Sequence, residues 1–177
     1  LALFLKDIRP TIIVAFSIPF SVLFAIIIMY FTGININVMS LAGLCLGIGM
    51  LVDNSIVVME NVYRFSNEGM SAPKAAVRGT AQVAGPILAS TLTTICVFLP
   101  MVYTSGMVSQ LLIPFAFTIS YALIASLLVA LTVVPTMGSV ILRKAKEIKQ
   151  PWFEKIKDIY GNILELALRF KIVPLLI

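Results

Sequence analysis

The chain has 177 residues, 60% of them hydrophobic and only 12% charged, with a mean hydropathy of +1.05. A soluble domain carries about 25% charged residues, so this composition excludes one and calls for a membrane protein. The net charge of +5 fits basic loops beside a membrane better than nucleic acid, and no nucleic-acid partner is expected.

The chain opens on Leu1-Ala2-Leu3-Phe4-Leu5, too short to span, and has no signal-peptide layout. Residues 1–10 read as the end of a preceding transmembrane helix and a turn. Roughly 20 apolar residues cross a bilayer as a helix, and four stretches qualify. The first runs from Thr11 to Thr32, with Pro19 a kink site. The second runs from Ile36 to Met59. Arg64 to Gln82 then reads as a hydrated turn and a short helix starting near Ser71-Ala72-Pro73-Lys74. The third span runs from Val83 to Tyr103, with Pro86 near its first turn and Pro100 near its end. The fourth, Met107 to Leu142, exceeds one simple crossing and must tilt, bend near Pro114 or Pro135, or protrude.

Residues 11–142 thus form a four-helix transmembrane region, and the expected fold is an all-α membrane bundle. In residues 143–170, Ile148, Trp152, Phe153, Ile156, Ile159, Tyr160, Ile163 and Ala167 recur at helical spacing, apart from Lys149, Lys155 and Lys157. That pattern suits an amphipathic helix on the cytoplasmic leaflet, or equally a connector packed on the rest of the protein. Residues 171–177 read as the start of a further span. The whole reads as a piece of a larger polytopic protein.

Charge sets the orientation. Gly33 to Asn35 and Thr104 to Ser109 hold no Lys or Arg, while all 13 basic residues lie in the alternate segments. Positive loops stay cytoplasmic, so 61–82 and 143–171 are placed there.

Asp53 is the exception to the apolar pattern. A charge at membrane depth costs at least ~2.5–3.5 kcal/mol, so such residues face protein interior or water and serve ions or protons. No span contains Lys, Arg or His to pair with it. Burial disfavours the charged form of a carboxylate, so Asp53 can take a proton from one side and release it to the other. Its neighbour Asn54 can hydrogen-bond but cannot titrate.

Gly49, Asp53 and Glu60 share one helix face, while Ser40, Gly43, Gly47 and Asn54 form a row about 100° round. Gly43, Gly47 and Gly49 read as helix-packing residues that surround Asp53 with protein. Glu60 and Asn61 read as a solvated helix end. Thr91, Thr93, Thr94, Thr118, Ser120, Ser126 and Thr132 could line a hydrated path, although such hydroxyls more often bond back to their own helix. Cys45 and Cys96 sit in apolar runs without metal-ligand spacing and read as buried thiols; no metal or other cofactor is expected. With no histidine and no nucleophile–base pair, an enzyme is not expected.

Gly49-Met50-Leu51-Val52-Asp53-Asn54-Ser55-Ile56-Val57-Val58-Met59-Glu60-Asn61 resembles the fourth-helix signature of resistance-nodulation-division (RND) efflux pumps, especially the hydrophobe/amphiphile exporters. Leu3-Phe4-Leu5-Lys6-Asp7-Ile8-Arg9, Gly33-Ile34-Asn35-Ile36-Asn37, Val97-Phe98-Leu99-Pro100-Met101 and Leu131-Thr132-Val133-Val134-Pro135 are similar to further family motifs in matching order. The resemblance implies helices three to six of a twelve-helix, proton-driven exporter of drugs or other amphiphiles in the bacterial inner membrane. It also implies a homotrimer, periplasmic adaptor partners, protons as the coupling ion, and a Lys partner for Asp53 in the other half of the pump.

Many drug exporters of this family carry two adjacent aspartates where this chain has Asp53 and Asn54. Metal-exporting relatives manage with one acid in this helix, so a relay on Asp53 alone stays open. So do a metal-ion or protein-translocation branch of the superfamily, and a membrane scaffold in which Asp53 is only an ion-pair partner.

Overall fold

A computed structural model describes residues 8–142 as four long helices joined by tight connections. These are α1 (Ile8–Thr32), α2 (Val38–Asn67), α3 (Ala72–Phe98) and α4 (Met107–Ile141), with a 3-10 turn at Leu99–Tyr103. All four are long and apolar enough to cross a membrane. The fold is therefore an all-helical membrane bundle, as the composition demands. The amphipathic helix expected at 143–170, the span expected to begin at 171, and the apolar run opening the chain lie outside the described residues.

The helix boundaries follow local chemistry rather than hydropathy. α1 ends at Gly33, whose φ of +71° is open to glycine without a Cβ clash. The Ile34 amide then reaches back to the Met29 carbonyl at 3.0 Å, closing the last turn. α2 begins with a reciprocal cap: the Ser40 amide donates to Asn37 Oδ1 and the Asn37 amide to Ser40 Oγ, each at 2.8 Å. α2 ends the way α1 does, at Gly69 with φ +90°, the Met70 amide donating to the Phe65 carbonyl at 3.2 Å.

Several boundaries differ from those expected. α1 starts at Ile8, so Arg9 and Pro10 belong to its first turn rather than to a preceding loop. A first turn has free amides, and proline removes nothing there. α2 continues past Met59 to Asn67, because a helix emerging from lipid keeps its backbone bonds in water. The short helix expected after Ser71 is the start of α3 itself, which runs unbroken from Ala72 to Phe98. Pro86, expected near a first turn, therefore lies in the helix interior. α4 is a single helix, with Pro114 and Pro135 both inside it.

α4 is the hub: it packs on all three other helices, most extensively on α2. At the end of the bundle where Arg64 lies, Ile13, Val58, Met59, Val62, Ile87 and Val134 form the main core. A smaller cluster of Ala25, Ala122 and Ala125 closes the other end. Lipid tails are as apolar as leucine, so such helices associate through close van der Waals fit and interhelical hydrogen bonds. Small residues at the crossings provide that fit.

Candidate functional site

The α2–α4 crossing sets the orientation of α2. Gly43 and Gly47 are buried against α4: a Cβ on Gly43 would lie 2.9 Å from the Phe115 carbonyl oxygen, and one on Gly47 2.7 Å from Ala122 Cβ. Only glycine permits that approach. Gly49, expected in the same packing set, has nothing within 4 Å among the described residues. It faces a different side of α2, and the correction matters because Asp53 lies one turn further along that side.

Asp53 sits near the middle of α2, about 22 Å along the axis from Val38, and it is exposed. Gly49, Asp53, Val57, Glu60 and Arg64 form one exposed stripe at helical spacing. No hydrogen bond or ion pair reaches Asp53 among the described residues. The expectation that the glycine row encloses Asp53 is therefore corrected: that row faces α4, and Asp53 points out of this unit. A hollow of about 370 Å³ opens along the stripe, lined by Val57, Glu60, Asn61 and Arg64 among others.

Asn54 points the other way. Its Nδ2 lies 3.4 Å from Thr91 Oγ1 on α3 and 3.5 Å from Ser126 Oγ on α4, two long contacts bridging three helices. At the next residue, Ser55 is buried with its Oγ 3.0 Å from Ser17 Oγ of α1. Ser17 has one proton, which it donates to the Val14 carbonyl at 2.7 Å, leaving Ser55 to donate to Ser17. The interior beside Asp53 is thus polar but uncharged.

The remaining hydroxyls divide cleanly. Thr93, Thr94, Thr118, Ser120 and Thr132 each donate to a carbonyl one turn back on their own helix. Thr91 and Ser126 face Asn54. Cys45 and Cys96 are exposed on the outer surface of the unit rather than buried. An apolar sequence run marks lipid-facing and core positions alike, which is why the two were not separable.

Glu60 is exposed as a solvated end requires, but Asn61 is not: it is 8% exposed. Its Nδ2 donates to the Gly79 carbonyl at 2.7 Å and to Gln82 Oε1 at 3.1 Å. Arg64 Nη2 donates to the same Gln82 oxygen at 3.1 Å. Gly79 permits this knot, since a Cβ there would lie 2.9 Å from Val62 Cα. The signal for it was the small-residue spacing of Ala75 and Gly79, masked by Lys74 and Arg78 beside them.

Four long apolar helices, one of them carrying a carboxylate at mid-span, define a polytopic membrane protein. Within that class the assignment is specific. The AcrB/AcrD/AcrF family description matches residues 1–177, and the chain belongs to this family of RND transporters. It is 38% identical over 180 residues to the swarming motility protein SwrC of Bacillus subtilis (strain 168), covering 96% of this chain and 17% of that protein. It is 40% identical over 148 residues to the multidrug resistance protein MdtC of Escherichia coli (strain K12), covering 84% of this chain and 14% of that protein. The chain therefore spans about a sixth of the length of these relatives.

Proposed function

We propose that this chain is part of the membrane region of a proton-driven efflux transporter that exports drugs or other amphiphilic compounds, with Asp53 as its proton carrier. The position of Asp53 carries the reading. It is an ionisable group halfway along a membrane-crossing helix, with no partner among the described residues and an outward aim. Such a group needs either a counter-charge or a proton, and exchange between the two is the coupling step. One charge moved across the membrane potential is worth ~2.3 kcal/mol per 100 mV, enough to bias a conformational change.

The counter-charge is a lysine from the other half of the complete protein, brought against the exposed stripe of α2. Asn54 stays neutral and holds α2 to α3 and α4. The hollow beside Glu60 and Arg64 starts one turn from Asp53 and gives water a route from the basic end. That end lies in the cytoplasm, as the charge sorting of the loops supports, and the membrane is the bacterial inner membrane, a reading supported by membership of the RND family. The working form is a homotrimer with periplasmic adaptors. The name of MdtC, a multidrug resistance protein, supports the substrate class.

The test is Asp53→Asn in the complete chain, followed by dye export from energised cells and by trimer content in mild detergent. Export should fall to the level of cells without the transporter while trimers persist. Lost assembly with residual transport would instead make Asp53 a structural ion-pair partner and overturn the proposal.

A further inference from the structure

We propose that Glu60 is the group through which Asp53 exchanges its proton with water at the basic end of the bundle, an inference that rests on the reading of Asp53 as proton carrier. Depth creates the need. Glu60 lies about 33 Å along the α2 axis from Val38, and the apolar core of a bilayer is about 30 Å thick. Glu60 therefore stands at the inner edge of that core, with Asp53 about 10 Å deeper on the same exposed stripe. That gap is too long for a direct hydrogen bond between the carboxyl groups. Val57, between them on this face, carries no proton.

The hollow of about 370 Å³ bridges the gap. Its walls run from Val57, one turn past Asp53, to Asn67 at the end of α2. Glu60 and Tyr63 bring proton-bearing groups to it, and Val83 closes it on the α3 side. In a helix side chains lean toward the N-terminus, so Glu60 leans toward Asp53.

Glu60 is also uncommitted. Arg64 lies one turn on, the favourable order for a Glu–Arg pair, yet its Nη2 donates to Gln82 Oε1 at 3.1 Å and its Nε lies 3.8 Å from Glu68 Oε1. No hydrogen bond or ion pair reaches Glu60 among the described residues. Arg64 is the other charged residue in the walls of this hollow, while the α3 cations Lys74 and Arg78 line a different one. In the exchange, protonated Asp53 passes its proton through water to the Glu60 carboxylate and is left ionised. Glu60 then gives the proton to bulk water and returns to a carboxylate.

The complete transporter is reconstituted in acid-loaded proteoliposomes with its basic end outward, and export is measured at low and high concentrations of an impermeant buffer outside. The wild-type rate should not depend on buffer. Glu60→Gln should slow export at low buffer by about 10²-fold, the low end of what a positioned proton-transfer group contributes. High buffer should restore it by accepting the proton in place of Glu60, and Glu60→Asp should stay fast throughout. A Glu60→Gln variant that is fast at low buffer, or slow at every buffer concentration, overturns the proposal. So does loss of its trimers, which would make Glu60 a structural ion-pair partner. Asp53→Asn should be inactive under all conditions. If it exports, the carrier reading itself falls, whereas an inactive Asp53→Asn beside a fast Glu60→Gln removes only the role of Glu60.

Discussion

Asp53 and Asn54 are adjacent in sequence yet serve different sides of α2: Asn54 Nδ2 approaches Thr91 Oγ1 at 3.4 Å and Ser126 Oγ at 3.5 Å, while Asp53 projects outward. A 100° step per residue makes the two environments distinct. A neutral amide suits the uncharged seam between helices, and the carboxylate is left on the exposed side of this unit. Asn54→Ala should therefore retain proton-coupled export, since an amide carries no proton. It should lower thermal stability by only about 0.5–1 kcal/mol, the usual worth of interhelical hydrogen bonds in membranes. Export lost with trimers intact would place Asn54 inside the relay.

Gly79 lies against main chain that cannot yield. An added Cβ would come within 2.9 Å of Val62 Cα, 3.0 Å of the Val62 nitrogen and 3.2 Å of the Asn61 carbonyl carbon. Gly79→Ala should separate α2 from α3 and cost about 1–3 kcal/mol. Gly85→Ala is the internal control: nothing lies within 4 Å of its added Cβ among the described residues. It should be neutral or gain up to about 1 kcal/mol of helix propensity. Thermal melts of the two purified variants followed by size-exclusion chromatography decide it, and equal melting temperatures would refute the packing role of Gly79.

Gly47 and Gly49 make a second contrast within one helix. A Cβ on Gly47 would sit 2.7 Å from Ala122 Cβ, whereas Gly49 has open space among the described residues. Gly47→Leu should disrupt the α2–α4 crossing and reduce the yield of folded protein sharply. Gly49→Ala disturbs nothing in this unit. If it impairs export without loss of folded protein, the surface carrying Gly49 and Asp53 meets another part of the transporter closely.

The four spans, their order and the Gly43–Gly47 packing row were legible because apolar length and small-residue spacing are local signals. The start of α3 was not. Lys74, Arg78 and Gln82 made residues 72–82 look like a loop, but helical hydrogen bonds persist beyond the bilayer, and α3 simply extends out of it. Asp53 could be placed on a helix face from its spacing to Gly49 and Glu60. Which face turned inward depended on where Gly43 and Gly47 met α4, a tertiary fact. The Ser17–Ser55 bond was equally hidden, since two serines 38 positions apart carry no mutual signal.

Asn61 offers a test in which chemistry and volume separate. Its Nδ2 is held by two acceptors, the Gly79 carbonyl at 2.7 Å and Gln82 Oε1 at 3.1 Å, and Arg64 fixes the latter by donating to the same oxygen. Asn61→Ala removes the donor and leaves a small void, for a loss of about 1–2 kcal/mol. Asn61→Asp keeps the volume but sets a carboxylate against two oxygens at a position only 8% exposed. Near-isosteric as it is, it should be the worse substitution, by about 1 kcal/mol or more, because an unpaired buried charge costs more than a missing hydrogen bond. Arg64 reduces that penalty if its guanidinium swings from Gln82 to the new carboxylate. Arg64→Ala in the Asn61→Asp background should then destabilise further than in the wild type, and thermal melts of the four proteins read the coupling directly.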